Sequence, residues 1–227
     1  MITPQNKTKI LRILNVFETG TPGGKYDMVV VYADGKNGSR QVTYGRSQTT
    51  EQGNLPLLIK KYIQKNGIYK NEFTAYLPKI GVQPLCDDVA FKTLLKKAAR
   101  EDVLMREAQD EFFDFAYYNP ALKFFDTNKF TFPLSLLVIY DSYIHSGGVP
   151  AHLRKLFGEF PPSKGGDEKK WVAAYSDVRH QWLKYHNNPI VRKTIYRTQC
   201  FKEQIAAGNW NLELPVNANG TIINSIT

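Results

Sequence analysis

The sequence lacks any hydrophobic run long enough to cross a membrane. A transmembrane helix needs about 20 predominantly apolar residues, and the longest apolar stretches, MVVVYA and FPLSLLVIY, are far shorter. Each predicts a buried element of a globular protein, and we expect no membrane partner. The opening residues MITPQNKTKI also lack the apolar core of a signal peptide, which indicates either that the protein stays inside the cell or that a leader was removed.

Cysteine and histidine are scarce. Cys86 and Cys200 lie far apart and match no metal-ligand or redox spacing, so either one disulfide or two buried free thiols fits the pattern. Ser135 and Ser146 lack the context of a nucleophile elbow, and no glycine pair follows a strand as a phosphate loop requires. We therefore expect neither a metal nor a cofactor. Ordinary surface or loop roles are expected for the four histidines, His145, His152, His180 and His186.

Positive charge is in excess, with 30 lysine and arginine residues against 21 acidic ones, a net charge of +9 and a pI near 9.4. Such a balance is typical of proteins that bind polyanions. The lysines, however, come in scattered pairs on expected helix faces, and no zinc finger, RNA-recognition signature or basic arm accompanies them. Nucleic acid is therefore not an expected partner.

Strand signals are concentrated near the N-terminus. A first helix is predicted to begin at Thr3-Pro4 and to end at about Glu18, ahead of the turn sequence TPGG. Residues 28–33 and 40–45 then predict a β-hairpin with Asp34 at its tip.

Most of the rest of the chain is predicted to be helical. Residues 133–144 are apolar on every side, which predicts a central core helix containing one acid, Asp141. The C-terminal ELPVNANGTIINSIT is expected to be extended. The fold class is therefore α+β, mainly α, with a small N-terminal antiparallel sheet. The other predicted helices start near Asn54 and Asp88, cover 104–118 up to a break at Asn119-Pro120, and cover 150–160, 167–185 and 189–207.

Glu18 and Asp34 are the first candidates for chemistry. Hydrolysis of a glycosidic bond needs one carboxyl that protonates the leaving oxygen and one carboxylate that activates water. Two acids on separate elements can meet that need. A glutamate near a helix end and an aspartate in an Asp-Gly turn are also common in proteins without activity, so spacing alone leaves both interpretations open.

Five phrases, in order, resemble the chitosanases of glycoside hydrolase family 46: VFETG with YADG, EAQDEFFDFAYYNPALK, VIYDSYIHSGG, GGDEKKWVAAYSDVR, and TIYRTQCF with GNWNLEL. The resemblance implies a lysozyme-like, two-lobed fold with a substrate cleft between the lobes. Residues 1–227 would form a single catalytic domain. Its hairpin lobe would cover about 19–85, and its helical lobe about 86–227 plus the first helix. The resemblance also implies an extracellular enzyme acting on chitosan or a related amino-sugar polymer, and we expect this enzyme to be a monomer.

The resemblance also implies roles for particular residues. Glu18 matches the general acid of the family, and Asp34 matches the general base of an inverting hydrolysis. Asp141, Arg179 and Arg197 match a buried charge network behind the acid. An acid inside an apolar helix is costly unless it is paired, and arginine suits a buried pair. A purely structural ion pair fits the same residues.

The sequence departs from the family pattern at the sites that would hold water and sugar. The family follows its catalytic aspartate with Gly-Arg-Gly-Tyr-Thr, whose threonine holds the water, whereas this chain carries a short insertion here. Ser39 or Thr43 would have to take that role. Asn54 stands where an aspartate contacts the sugar amine, and a neutral amide can accept a hydrogen bond but gives up the ion pair. Gln199 replaces a frequent aspartate after Arg197.

The net charge raises an alternative substrate. A cationic glucosamine polymer should be repelled by a protein of +9 unless the cleft is locally acidic. Glu18, Asp27, Asp34 and Glu51 would supply that field, and Tyr44 is the tyrosine expected to stack on sugar. A muramidase acting on anionic peptidoglycan, or a carbohydrate-binding protein without catalysis, also fits the sequence.

Overall fold

The computed structural model describes residues 2–46 and 48–226. Its helices are α1 (Pro4–Thr19), α2 (Leu55–Gln64), α3 (Lys70–Tyr76), α4 (Val89–Glu101), α5 (Val103–Phe113), α6 (Asn119–Thr127), α7 (Pro133–Ser146), α8 (Ala151–Arg154), α9 (Glu168–Lys184), α10 (Pro189–Arg192) and α11 (Tyr196–Ala206). Its strands are β1 (Val29–Tyr32), β2 (Gln41–Tyr44), β3 (Thr49–Thr50), β4 (Val216–Ala218) and β5 (Thr221–Ile223). The mainly α fold class with a small N-terminal antiparallel sheet is confirmed.

The chain divides into two compact units. The helical unit contains the residues up to Gly23 and those from Ala116 onward, and the sheet unit is Gly24–Phe115. The family resemblance implied a division near residue 85. The sheet unit extends further because α4 packs against β1 and α5 packs against both α2 and α4.

Helix α7 is the core of the helical unit. It contacts α1, α6, α9 and α11, and every residue from Pro133 to Ser142 is buried. Such burial explains why the helix is apolar on all sides. Gly147 ends it in the left-handed conformation, with φ +70°, which costs a glycine little.

The sheet unit is built on the antiparallel order β1-β2-β3. The register pairs Val29 with Tyr44 at one end of the β1–β2 ladder and Tyr32 with Gln41 at the other. Asp34 lies two residues after the end of β1 and therefore at the Gln41 end. The carboxylate of Glu51 accepts hydrogen bonds from the backbone N–H groups of Val42 and Leu85, at 3.0 and 2.8 Å, and so joins β2 to the segment before α4.

Several predicted helix boundaries were wrong. The 150–160 helix is only α8, because the Arg154 guanidinium donates to the carbonyls of Phe157 and Glu159 and holds the chain in a loop. Asn119-Pro120 does not end the helical run. Proline is tolerated in a first turn, and α6 begins there after a π-helical segment, Asp114–Tyr118.

Two open questions from the sequence are answered. Cys86 and Cys200 are both free and buried, which is the free-thiol alternative. Among the described residues no helix is both long and apolar enough to cross a membrane.

Candidate active site

Glu18 lies in the last turn of α1. The helix ends at Gly20, which adopts φ +77° and donates its N–H to the Val16 carbonyl. Phe17 is buried between the rings of Tyr196 and Phe201, with centroids 5.7 and 5.9 Å away. This packing fixes the final turn and leaves the Glu18 side chain 11% exposed.

A continuous series of ion pairs lies behind Glu18. Arg197 donates through Nη2 to Glu18 Oε1 at 2.6 Å and through Nη1 to Asp141 Oδ1 at 2.7 Å. Arg179 donates through Nη1 to Asp141 Oδ2 at 2.6 Å. The structure therefore brings Asp141, Arg179 and Arg197 together with Glu18. We call these four residues the buried charge network.

Asp141 and Arg197 are held in their ionised forms by each other and by their neighbours. Burial alone would raise the pKa of Asp141, but Arg179 and Arg197 outweigh it and bring that pKa below its usual value. Burial would lower the pKa of Arg197, but Glu18 and Asp141 raise it instead. The end of a helix carries partial negative charge, so Arg197 also offsets that charge beside Glu18.

Two further side chains, those of Tyr196 and His145, lie near the buried charge network. The sequence analysis did not predict a role for either of them at this site. The Tyr196 hydroxyl donates to the Phe17 carbonyl at 2.9 Å, which ties α11 to the last turn of α1. His145 lies one helical turn after Asp141 rather than in a loop. Burial, then the positive charges of Arg197 and Arg179, lower the pKa of His145 to about 4, so this histidine is neutral at physiological pH. The only sequence signal for Tyr196 and His145 was their position in the phrases TIYRTQ and YDSYIH, which also contain Arg197 and Asp141.

Asp34 belongs to the sheet unit and is exposed. Its Oδ1 accepts a hydrogen bond from Gln41 Nε2 at 2.9 Å. Beside it is an open cavity of about 240 Å³. The residues that line the cavity are Asp34, Gly35, Lys36, Gln41, Thr50, Gln52 and Gly53.

The predicted water and sugar contacts lie in the same unit. Ser39 is exposed, and its hydroxyl accepts from Gln52 Nε2 at 2.9 Å. Thr43 is buried, and its hydroxyl has no hydrogen-bond partner among the described residues. Asn54 is half-buried at the start of α2, and its side chain makes no capping hydrogen bond.

Two expectations about this region were wrong. Tyr44 is fully buried, and its hydroxyl donates to the Leu95 carbonyl at 2.8 Å, so it is a core residue rather than a surface for stacking sugar. Glu51 is only 2% exposed and its carboxylate is used by two backbone N–H groups. Asp27 is paired with Arg100 at 2.6 Å. Neither Glu51 nor Asp27 therefore supplies unpaired negative charge for an acidic cleft.

Replacing Tyr44 by phenylalanine tests the core assignment. The variant keeps the ring but loses the hydrogen bond to Leu95, which should lower the free energy of unfolding by about 1 kcal/mol. The KM for chitosan oligomers, the substrate that the family resemblance implies, should stay unchanged. Urea unfolding and steady-state kinetics measure the two quantities. A severalfold rise in KM with unchanged stability would return Tyr44 to the sugar-contact residues.

No group of three or more histidine, cysteine, aspartate or glutamate residues that could hold a metal ion occurs within 2–46 and 48–226.

Two solved structures that are similar to this chain are chitosanases. The native chitosanase from Bacillus subtilis MY002 has a TM-score of 0.84 and 25% identity, with 99% of this chain and 100% of that chain covered. The Gynuella sunshinyii GH46 chitosanase, solved in complex with chitotetraose, has a TM-score of 0.79 and 22% identity over 98% of each chain. The second likeness shows the fold alone.

Sequence comparison points the same way. The chain is 27% identical to a chitosanase from Bacillus subtilis (strain 168), over 95% of this chain and 82% of that protein. The model of glycosyl hydrolase family 46 matches residues 12–216. The chain belongs to glycosyl hydrolase family 46.

Proposed function

We propose that this protein hydrolyses the β-1,4 bonds of chitosan, a polymer of glucosamine, with inversion at the anomeric carbon. The observation that carries the proposal is the match of nearly the whole chain to chitosanases in both sequence and fold. A chitosanase from Bacillus subtilis MY002 was solved in complex with 6 GlcN, which supports an oligomer of glucosamine as the ligand class.

In the proposed reaction, Glu18 is the general acid. It gives its proton to the leaving glycosidic oxygen as the bond from that oxygen to the anomeric carbon breaks. The carboxylate left behind is stabilised by Arg197, whose Nη2 lies 2.6 Å from Oε1. The contact with Asp141 fixes the position of Arg197. The buried charge network thereby lowers the free energy of the state that forms when the proton leaves.

Asp34 is the proposed general base. It takes a proton from water as the water oxygen bonds to the anomeric carbon on the face opposite the leaving group. Exposure of Asp34 and the adjoining cavity of about 240 Å³ support access for water. The product of such a displacement on a β-linked sugar carries an α-hydroxyl at its new reducing end.

Proton NMR of fully deacetylated chitosan oligomers tests the proposal. We expect the α-anomer to appear first and the β-anomer to follow by mutarotation. Prompt appearance of the β-anomer would contradict inversion.

The net charge of +9 keeps peptidoglycan as the alternative substrate. Release of reducing sugar from washed bacterial walls, with none from chitosan, would replace the proposal by a muramidase. Tight binding of oligosaccharide without turnover would indicate a binding protein.

A further inference from the structure

Gln41 makes the hydrogen bond that orients Asp34. It is the first residue of β2 and pairs with Tyr32, two positions before Asp34. Its side chain is buried, with the residue 5% exposed. Nε2 donates to Asp34 Oδ1 at 2.9 Å, and Oε1 accepts from the backbone N–H of Gln52 at 3.0 Å.

The two partners determine the orientation of the amide. A backbone N–H can only donate, so it must face Oε1, and an ionised carboxylate can only accept, so it must face Nε2. Turning the amide over would bring donor against donor and acceptor against acceptor. The two hydrogen bonds therefore allow only one orientation of the Gln41 amide, in which an N–H group faces Asp34.

The loop that carries Asp34 is held by the same segment. Gln52 accepts from the Lys36 N–H through Oε1 at 2.7 Å and donates to Ser39 Oγ through Nε2 at 2.9 Å. A side chain at Gly35 would collide with both partners, because an added Cβ would lie 2.7 Å from Ser39 Oγ and 2.8 Å from Gln52 Nε2. The backbone that follows Asp34 is thus held in place by Gln52.

We propose that Gln41 is a positioning residue for the proposed base, holding one oxygen of Asp34 so that the other faces the attacking water. The inference rests on the proposed function, since it needs Asp34 to act as the base. Asp34 Oδ2 accepts no hydrogen bond from any residue within 2–46 and 48–226. A neutral amide orients the carboxylate without cancelling the negative charge that a base requires.

The test replaces Gln41 by methionine, which keeps the buried volume and removes the amide. We expect kcat on chitosan oligomers to fall about 10- to 100-fold, since a misplaced catalytic group costs up to about 10²-fold, while KM changes less than about threefold. Gln41→Glu keeps an acceptor for Gln52 and places a second carboxyl against Asp34. Because like charges disfavour ionisation, the acidic limb of the kcat/KM profile should move to higher pH.

Gln109→Met is the matched control. Gln109 is equally buried, 1% exposed, and its amide likewise bridges two partners, the Tyr26 carbonyl at 3.0 Å and the Arg46 N–H at 3.1 Å. These partners lie at the opposite end of the β1–β2 ladder. The control should lose stability by a similar amount and keep its kcat.

The outcomes separate this inference from the proposed function. If Asp34→Asn abolishes turnover while Gln41→Met and Gln109→Met lose kcat equally, or neither loses it, Gln41 has no positioning role and the base assignment stands. If Asp34→Asn keeps turnover, the base assignment itself fails. If Gln41→Met does not fold, the Gln41→Glu profile decides, and an unmoved acidic limb overturns the inference.

Discussion

Replacing Glu18 by glutamine should lower kcat on glucosamine oligomers by about 10²- to 10⁴-fold, the range that a general acid contributes. The amide oxygen can still accept the hydrogen bond that Arg197 makes to Oε1 at 2.6 Å. The amide N–H, unlike a carboxylic acid, is far too weak an acid to protonate the leaving oxygen. Release of reducing ends measures kcat, and titration with a glucosamine hexamer measures binding, which should persist.

Glu213→Gln is a matched control for Glu18→Gln. Glu213 belongs to the same unit and pairs with Lys9 at 3.5 Å, but its side chain is 74% exposed. The same chemical change there should leave kcat at the wild-type value. A Glu18→Gln enzyme that keeps a tenth or more of wild-type turnover would exclude Glu18 as the acid.

The helical part of the fold was largely predictable because its signals are local. Thr3 accepts from the Asn6 N–H as the cap of α1, and Asp167 caps α9 in the same way, as residues of their types do. The uniform apolar character of 133–144 correctly predicted the core helix. Each of these features depends on neighbours a few residues away.

The site was less predictable because its geometry depends on residues far apart in the chain. Glu18 and Arg197 are separated by 179 positions, and no periodicity predicts such a contact. The roles of the site residues were inferred from the family phrases. Where the chain departs from those phrases, the residue that holds the water was left open between Ser39 and Thr43. Tyr44 is an example, because the sequence around a tyrosine in a short strand does not show whether its ring faces the substrate or the core.

Glutamine was overlooked for a physical reason. Gln41 and Gln52 carry no charge and form no motif, yet each amide both donates and accepts and so can join two backbone segments. The sequence could not show which pairs of segments meet beside Asp34. The register of β1 and β2 determines that pairing, because it brings Gln41 opposite Tyr32.

Asp141→Asn should be the most destabilising of the substitutions considered, lowering the free energy of unfolding by about 3–5 kcal/mol, the cost of breaking a buried ion pair. Asp141 and Arg179 are both fully buried. An asparagine can accept from one guanidinium, but its NH₂ group then faces the donors of the other. The buried guanidiniums of Arg179 and Arg197 would be left without the carboxylate that both of them contact. Urea unfolding at pH 7 measures the loss.

Asp177→Asn provides the control, because Asp177 pairs with Lys202 in the same unit with side chains 60% and 37% exposed. An exposed pair contributes about 1 kcal/mol or less, so this variant should unfold nearly as the wild type does.

The pH dependence distinguishes a charge effect from a packing effect. Because the pKa of Asp141 is lowered in the folded protein, its ion pairs stabilise the fold above the unfolded value of about 3.9. That contribution is lost as the pH falls through the folded value. The difference in unfolding free energy between wild type and Asp141→Asn should therefore shrink as the pH falls below about 4. A difference that is the same at pH 3 and pH 7 would assign the loss to packing and remove the ionised carboxylate from the argument.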